Sequence, residues 1–313
     1  MYSIVVPVYG NEATLPDMVR RLESLAAELP VPVEGVFVVD GSPDNSYAVL
    51  KKELGKSKLR SELVRLSRNF GSFAAIRMGM SIARGPYFAV MAADLQEPAE
   101  LYPRFLEALQ SGEVDVAVGS RVSRSDPFLS RLSSGIFWRL YRRIVQRETP
   151  PGGIDVFACT REVRDVLLEL RESNSTLVGL LLWMGYRRTT VPYHRQPRPS
   201  GKSGWSFPRK LRYMLDSMYA FSDLPIQLLV LVGAMGVAGS LLLSLVVFLA
   251  WVFGAIAVKG YTPQILAVLF STSLILFSIG VLGGYVWRAF ENTKGRPEYI
   301  PLSRESFNTE EDA

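Results

Sequence analysis

Two side chains that can offer oxygen ligands, Asp94 and Gln96, stand two positions apart in the run Met-Ala-Ala-Asp-Leu-Gln-Glu-Pro at residues 91–98. The run follows the apolar residues 86–90, whose composition is typical of a buried strand. In an open α/β sheet, ligands bind beyond the carboxyl ends of the strands. A carboxylate and an amide at such a strand end can hold a hard divalent cation against a diphosphate.

Further candidate site residues lie at the ends of two earlier apolar runs. Pro7, Tyr9 and Glu12 lie at the end of the first run, and Asp40 follows the second. An acidic residue near a ribose or a base, together with a carboxylate on a metal ion, suits a nucleotide diphosphate. A single aspartate after a strand serves equally well as a helix cap. The interpretation as a site therefore depends on several such residues at successive strand ends.

Several common kinds of site are disfavoured by the sequence. G-x-G-x-x-G does not follow the first strand and G-x-x-x-x-G-K-[ST] does not occur, which argues against a dinucleotide oxidoreductase and a P-loop nucleotidase. The one cysteine, Cys159, cannot form an intramolecular disulfide. The one histidine, His194, is interpreted as structural.

The chain carries a formal net charge of +5, and its basic residues are clustered. Residues 121–147 contain seven Arg and one Asp, and residues 187–212 contain eight Lys or Arg and no acidic residue. Each cluster taken alone is explained by a solvated helix face. Two clusters upstream of a long apolar segment favour contact with the phosphates of anionic lipid.

The elements that would position these residues alternate along the first part of the chain. Apolar runs predict strands at residues 3–9, 33–39, 63–66, 86–91 and 114–118, and the remaining pattern predicts helices at 15–29, 72–83 and 101–110. Strands that alternate with helices predict a mainly parallel sheet with helices on both faces.

Two uncharged segments near the C-terminus predict transmembrane helices. Residues 226–258 and 264–287 each exceed the roughly 20 residues that a span requires. Residues 128–145 and 207–221 combine aromatic and basic side chains, as helices at a membrane interface do. Basic residues precede the first span and follow the second, so the positive-inside rule places both ends in the cytoplasm. Residues 298–313 form an acidic tail that we expect to be mobile.

Six short segments follow one another in a specific order and spacing. They are Val6-Pro7-Val8-Tyr9-Gly10-Asn11-Glu12, Val39-Asp40-Gly41-Ser42-Pro43-Asp44, Arg68-Asn69-Phe70-Gly71, Asp94-Leu95-Gln96-Glu97-Pro98, Gly119-Ser120-Arg121 and Arg198-Pro199-Ser200-Gly201-Lys202-Ser203-Gly204-Trp205. Together they resemble the signature of inverting family 2 glycosyltransferases. The resemblance is closer to the polyprenyl-phosphate branch, which includes dolichyl-phosphate mannose synthase and bacterial polyisoprenyl-phosphate glucosyltransferases. It covers residues 3–225, and the two predicted spans fit the bacterial members.

The resemblance implies a GT-A fold, which is a Rossmann-like α/β sheet, and roles for individual residues. Positions that bind the nucleotide sugar match Pro7, Tyr9, Glu12, Val38, Asp40, Ala93, Asp94, Gln96, Arg121 and Arg198. Asp94 and Gln96 match the segment that meets a Mg²⁺ or Mn²⁺ ion. Asp155 matches an acidic position facing the sugar, and with Asp94 and Arg121 it forms the candidate catalytic set. Positions for the lipid phosphate match Arg131, Arg198, Lys202 and Ser203.

The activity implied by the resemblance is inverting transfer of a sugar from a nucleotide diphosphate sugar to a polyprenyl phosphate. UDP-glucose and undecaprenyl phosphate are the expected donor and acceptor, with GDP-mannose or another UDP-sugar as the alternative donor. The expected partners are a lipid bilayer and further copies of the chain, which would associate through the transmembrane and juxtamembrane helices. Nucleic acid is not an expected partner.

The implied organisation has four parts. They are a catalytic domain at residues 1–205, a juxtamembrane helix at 206–224, a two-helix transmembrane domain at 225–290 and a cytoplasmic tail at 291–313. This organisation places the protein in the bacterial inner membrane with two spans. The catalytic domain and both termini would then lie in the cytoplasm.

Four positions depart from the family pattern. Gly10 is inserted between Tyr9 and Asn11, and Val39 replaces a common Asp. Ala92 stands where a carboxylate usually completes a D-x-D motif, and this removes one charge from the cation site. Gly204 stands where a lysine usually follows Ser203, and the neighbouring Lys202 can supply that charge.

Two alternative functions differ from the one that the resemblance implies. Ala92 supports a membrane-anchored binding protein whose transferase site has decayed. A processive polysaccharide synthase is disfavoured because the chain has no Q-x-x-R-W run and two spans are too few for a pore.

Overall fold

The structure, a computed structural model, describes residues 1–121, 154, 156–172, 175–196, 207–222, 224–253 and 261–308. The chain divides into two compact units. The first contains residues 1–213 and 296–313, and the second contains residues 214–295. The first unit therefore includes chain segments from both sides of the long apolar region.

One mixed sheet forms the centre of the first unit. Its strands among the described residues are β1 (Tyr2–Val8), β2 (Val33–Val39), β3 (Arg60–Leu66), β4 (Tyr87–Val90), β5 (Val116–Arg121), β6 (Phe157–Thr160), β7 (Arg188–Tyr193) and β8 (Pro301–Phe307). Their order across the sheet is β7-β5-β6-β4-β1-β2-β3-β8. The parallel pairs are β1 with β2, β1 with β4, β2 with β3, and β5 with β7. β6 and β8 run antiparallel to their neighbours. The predicted Rossmann-like α/β sheet is therefore confirmed.

Helices connect the strands of the first unit. They are α1 (Leu15–Glu28), α2 (Ser46–Leu54), α3 (Ser72–Ile82), α4 (Leu101–Gln110), α5 (Arg161–Glu169) and α6 (Leu177–Trp183). α1, α3 and α4 begin and end within one residue of the predicted bounds. α2 was not predicted, because it buries only the short set Ser46, Leu50 and Leu54 and follows a segment that reads as a turn.

The first helix shows how the sequence sets the core. Leu15, Met18, Leu22 and Leu25 of α1 are spaced three or four residues apart and are all buried in the main core cluster. Burial of each such side chain stabilises the fold by roughly 1.5–3 kcal/mol. Pro16 lies in the first turn of α1. Backbone N–H groups in the first turn have no acceptor within the helix, so a proline, which lacks this group, costs no hydrogen bond there.

Part of the tail predicted to be mobile belongs to the sheet. Residues 301–307 form β8, which pairs with β3. Arg304 Nε and Ser306 Oγ donate hydrogen bonds of 3.0 and 2.8 Å to Glu62 of β3, whose side chain is 1% exposed. The prediction of a mobile tail is therefore wrong for these residues. The strand was not predicted because its composition is polar. The partner that makes its pairing favourable, β3, lies far away in the sequence.

The described part of the second unit is helical. α7 (Phe207–Phe221) begins in the first unit and is followed by α8 (Leu224–Val252) and α9 (Tyr261–Thr293). Among these residues, Phe270–Thr293 of α9 is long and apolar enough to cross a membrane. A second span requires Met214–Phe221 and Leu224–Gly236 to count as one segment, although a bend of 79° separates them.

These helices test the sequence predictions only in part. α7 is a helix with the predicted bounds, but its position at a membrane interface stays a prediction. The number of spans also stays a prediction. The second expected interfacial helix, at residues 128–145, lies outside the described residues.

Candidate functional site

The carboxyl ends of the parallel strands bring several candidate residues to one edge of the sheet. Residues 9–14 follow β1, residues 40–45 follow β2 and residues 91–98 follow β4. Arg121 ends β5, and residues 194–196 follow the neighbouring strand β7. This edge is the place where ligands bind in open α/β sheets.

The loops after β1 and β2 are hydrogen-bonded to each other. The Gly10 N–H group donates to Ser42 Oγ at 2.8 Å, and the Glu12 N–H group donates to Asp44 Oδ2 at 3.1 Å. In return, Glu12 Oε2 accepts from the Asn45 N–H group at 3.0 Å. The two loops therefore form one connected rim, and both carboxylate oxygens of Glu12 accept hydrogen bonds from Asn45 within it.

Asp44 is the centre of this rim, although it was not among the predicted site residues. Its carboxylate accepts hydrogen bonds from the hydroxyls of Ser42 and Ser46 at 2.5 and 2.6 Å, and from the N–H groups of Glu12 and Ser46 at 3.1 Å each. Partial burial raises the pKa of Asp44, but these hydrogen bonds outweigh it, so the pKa lies below its ordinary value. The sequence feature that could have indicated this role is the run Asp-Gly-Ser-Pro-Asp-Asn at residues 40–45, whose composition is typical of a turn.

Asp40 serves the local fold at this edge. Its side chain is 2% exposed and accepts the N–H groups of Phe70 and Gly71 at 2.7 and 2.8 Å, at the start of α3. Burial raises the pKa of Asp40, and the two hydrogen bonds and Arg68 oppose that rise. The structure therefore places Asp40 as a loop anchor, and its contact with a nucleotide stays a prediction.

Glycine at position 41 permits this anchor. Gly41 has a φ of +58°, and an added Cβ atom would lie 2.3 Å from the main chain of Arg68 and Asn69. Any other residue would force the loops after β2 and β3 apart.

The loop after β4 has an uncommon backbone conformation. Leu95 lies between Asp94 and Gln96 and has a φ of 58°, although it is not a glycine. Its side chain is 7% exposed, so burial helps to hold the conformation. The loop is fixed further by Thr14, whose hydroxyl donates to the Ala93 carbonyl at 2.7 Å. The loop that carries Asp94 and Gln96 is therefore anchored both by the buried Leu95 side chain and by a hydrogen bond from Thr14.

Arg195 joins this segment, although the sequence indicated it only as one member of a basic cluster. Its Nη2 atom donates to Gln96 Oε1 and lies 3.9 Å from Asp94 Oδ2. Gln96 Nε2 donates to the Gln196 carbonyl at 3.2 Å, and the Gln196 N–H group donates to the Gln96 carbonyl at 2.8 Å. The available signal was its position two residues after the end of β7.

The remaining predicted residues differ in how much surface they offer. Tyr9 is 52% exposed, whereas Val38 is fully buried and Ala93 is 3% exposed. Arg121 lies opposite Tyr193 in the pairing of β5 with β7. Arg121 is therefore close in the sheet to the segment that carries Arg195. The buried side chain of Val38 offers no surface to a ligand in this arrangement.

Five of the predicted residues cannot be placed. Asp155, Arg131, Arg198, Lys202 and Ser203 lie outside the described residues. Their roles stay predictions from the sequence.

The donor set around Asp94 limits the kind of metal site that can form. In the part of the chain that the structure describes, no three His, Cys, Asp or Glu side chains are grouped as metal ligands. Asp94 is 14% exposed and suits a Mg²⁺ ion that takes its other ligands from phosphates and water. Gln96 fits less well, because both ends of its amide group are engaged by residues 195–196.

Comparison with known proteins adds a family match and full-length relatives. Residues 3–169 match the family described as Glycosyl transferase family 2. An uncharacterized glycosyltransferase of Synechocystis sp. is 30% identical over 96% of this chain and 98% of its own length. A bactoprenol glucosyl transferase of Shigella phage SfX is 29% identical over 96% of this chain and 99% of its own length. An undecaprenyl-phosphate 4-deoxy-4-formamido-L-arabinose transferase of Pseudomonas aeruginosa is 34% identical over 96% of this chain and 89% of its own length.

Proposed function

Because the chain belongs to glycosyl transferase family 2, we propose that it transfers a sugar from a nucleotide diphosphate sugar to a polyprenyl phosphate with inversion. One observation carries the choice of acceptor. The two relatives that are named for bactoprenol and undecaprenyl phosphate match 96% of this chain, including its apolar C-terminal part. The similarity therefore extends beyond the catalytic sheet that the family shares.

Undecaprenyl phosphate and UDP-glucose are the proposed acceptor and donor. The same two relatives are named for different sugars, glucose and a formamido-arabinose. The choice of glucose therefore rests on the sequence resemblance and on the glucosyl relative. GDP-mannose or another UDP-sugar is the alternative donor for the same reaction.

Asp94 and Arg121 have distinct proposed roles at the donor. Asp94 would hold a Mg²⁺ or Mn²⁺ ion, which supplies positive charge to the diphosphate when it is bound. Arg121 would place a guanidinium beside the leaving diphosphate, and fixed positive charge of this kind stabilises a transition state in which negative charge develops. Tyr9, which is exposed at the same edge, would contact the nucleotide.

The acceptor phosphate requires little help to become a nucleophile. Its last pKa is about 6, as for other phosphate monoesters, so it is largely ionised at neutral pH. Asp155 therefore either orients a sugar hydroxyl or acts as a weak base. Arg131, Arg198, Lys202 and Ser203 would hold the acceptor phosphate at the membrane surface.

The pairing of β8 with β3 supports the proposed topology. β3 precedes α8 and β8 follows α9, and both strands belong to one sheet, so they lie on the same side of any membrane that the chain crosses. The number of crossings must then be even. This supports two spans. We propose, from the basic residues that flank the two spans, that the catalytic domain and both termini lie in the cytoplasm of a bacterium. We further propose that α7, α8 and α9 mediate a homo-oligomer.

A decayed binding protein is the second candidate, and Ala92 is the observation that favours it. In that case the protein would bind the nucleotide sugar and transfer nothing. Asp94 remains in place to hold a cation, so we prefer the transferase.

Turnover by the purified full chain separates the two candidates. The protein in nanodiscs is incubated with Mn²⁺, undecaprenyl phosphate and one radiolabelled donor at a time, namely UDP-glucose, GDP-mannose or another UDP-sugar. We expect labelled lipid to form with UDP-glucose. Tight nucleotide binding without labelled lipid from any donor would overturn the transferase proposal and support the decayed site.

A further inference from the structure

Arg195 lies between the two side chains that define the loop after β4. Its guanidinium donates to the Gln96 amide oxygen and lies 3.9 Å from the nearer oxygen of Asp94. Gln96 and Gln196 add the two further hydrogen bonds of 3.2 and 2.8 Å. The segment after β7 therefore holds the loop through side-chain and main-chain contacts together.

The positive charge of Arg195 lies close to the negative charge of Asp94. The side chain of Asp94 is 14% exposed and that of Arg195 is 29% exposed, so solvent screens the pair only in part. Alanine at position 92 contributes no second carboxylate beside Asp94. The guanidinium of Arg195 therefore offsets part of the negative charge with which Asp94 would attract a divalent cation.

The guanidinium of Arg195 also has unused hydrogen-bonding capacity. Its Nε–H group is buried and has no hydrogen-bond partner among the described residues. A buried donor of this kind is costly unless a ligand satisfies it. Planar guanidinium groups are well suited to phosphate oxygens, because several donors point in fixed directions.

We propose that Arg195 is a positioning residue that makes cation binding at Asp94 depend on the nucleotide. The inference rests on the proposed function, since it requires a donor with a diphosphate. Without the nucleotide, Arg195 offsets part of the charge of Asp94 and fixes Gln96. When the diphosphate binds, its negative charge engages Arg195 and frees Asp94 for the cation.

The coupling between cation and nucleotide is the quantity that tests this role. Mn²⁺ binding to the full-length protein is measured by electron paramagnetic resonance with and without UDP, in the absence of acceptor. For Arg195→Gln, we expect Mn²⁺ alone to bind about fivefold more tightly, which corresponds to about 1 kcal/mol. The ratio of the Mn²⁺ dissociation constants without and with UDP should fall accordingly.

A conservative variant separates charge from geometry. Arg195→Lys keeps the positive charge but not the planar fork, so its Mn²⁺ affinity without UDP should stay close to that of the unmodified protein. Its kcat for sugar transfer should nevertheless fall, because an ammonium lacks the fixed donor directions with which a guanidinium can contact Gln96 and a diphosphate oxygen together. A purely structural role would lower the melting temperature without changing the coupling ratio.

Two matched variants complete the test. Arg104→Gln removes a guanidinium that contacts the Pro192 carbonyl at 3.0 Å in the same region, and it should leave the coupling unchanged. Asp94→Asn should abolish the Mn²⁺ binding that the electron paramagnetic resonance measurement detects. An unchanged coupling ratio in Arg195→Gln would overturn the inference. Absence of sugar transfer would overturn the proposed function instead, because the binding measurements do not require transfer.

Discussion

Asp94 is the residue on which the proposed chemistry depends most. It lies in a loop fixed by the left-handed conformation of Leu95 and by the hydrogen bond from Thr14 to the Ala93 carbonyl. Its position is therefore set by neighbours that play no part in the reaction. With alanine at position 92, Asp94 is the one carboxylate within residues 91–96.

Asp94→Asn should abolish sugar transfer while leaving the fold intact. The amide is a weaker cation ligand and carries no charge, so we expect transfer of labelled sugar to fall by roughly 10²–10³-fold, as when other charge-stabilising groups are removed. Asp17→Asn, which changes an exposed carboxylate on α1, is the matched control. Activity retained in Asp94→Asn, with both variants melting normally, would contradict the assignment.

Asp44 should make the rim of the site sensitive to acid. Because hydrogen bonds lower its folded pKa, its contribution to stability is complete above the unfolded value of about 3.9 and is lost as the pH falls through the folded value. Asp44→Asn should reduce stability at pH 7 by roughly 1 kcal/mol, allowing for solvent screening. Thermal unfolding measured between pH 7 and pH 3 should show the difference shrinking below about pH 4. A difference that is constant across this range would argue against the proposed cause.

At the scale of elements, β8 connects the chain after α9 to the catalytic sheet. Glu62 of β3 is buried and accepts hydrogen bonds from Arg84, Arg304 and Ser306. Just before β8, Glu298 forms an ion pair with the buried Arg77 of α3 at 2.5 Å. The segment that follows the apolar helices is therefore part of the sheet's edge.

Removal of residues 299–313 should destabilise the first unit. Among the described residues, the truncation leaves buried Glu62 with the Arg84 side chain as its remaining side-chain partner, and it exposes the edge of β3. We therefore expect a loss of about 3–5 kcal/mol, as for other broken buried ion pairs. Thermal unfolding of the full-length and truncated proteins in nanodiscs measures the loss. Truncation of residues 309–313, which lie beyond β8, is the control and should have little effect. Equal melting temperatures for the two truncations would show that β8 contributes nothing to the sheet.

At the scale of the whole molecule, the sheet constrains any path that the chain takes through a membrane. Residues 1–213 and 296–313 belong to one compact unit, and within it β3 pairs with β8, so a single membrane crossing between these two chain segments is incompatible with that pairing. This conclusion is independent of the hydropathy of either helix.

Labelling of single cysteines should reveal this topology. The one native thiol, Cys159, is buried, and burial raises its pKa to about 12, so it should react slowly. In sealed vesicles, a membrane-impermeant maleimide should label Asp17→Cys and Leu302→Cys from the same side. Ala257→Cys, between α8 and α9, should be labelled from the opposite side. Labelling of all three from one side would exclude two spans.

The sequence predicted the centre of the fold well. Apolar runs and helical spacing located β2, α1, α3 and α4, because burial against one core imposes a local periodicity on each element. α2 and β8 were not predicted. Their apolar content is low, and they are stabilised by partners distant in the sequence, such as Glu62 for β8.

The sequence by itself determined the family resemblance, the Rossmann-like sheet and Asp94 as the leading candidate, because short motifs and residue spacing are local properties. Only the tertiary structure placed Arg195 beside Asp94 and Gln96, committed the Asp40 carboxylate to the start of α3, and returned residues 301–307 to the sheet. Each of these contacts joins residues at least 30 positions apart. Whether a charge becomes a site residue, a loop anchor or a strand partner depends on what the folded chain brings to it.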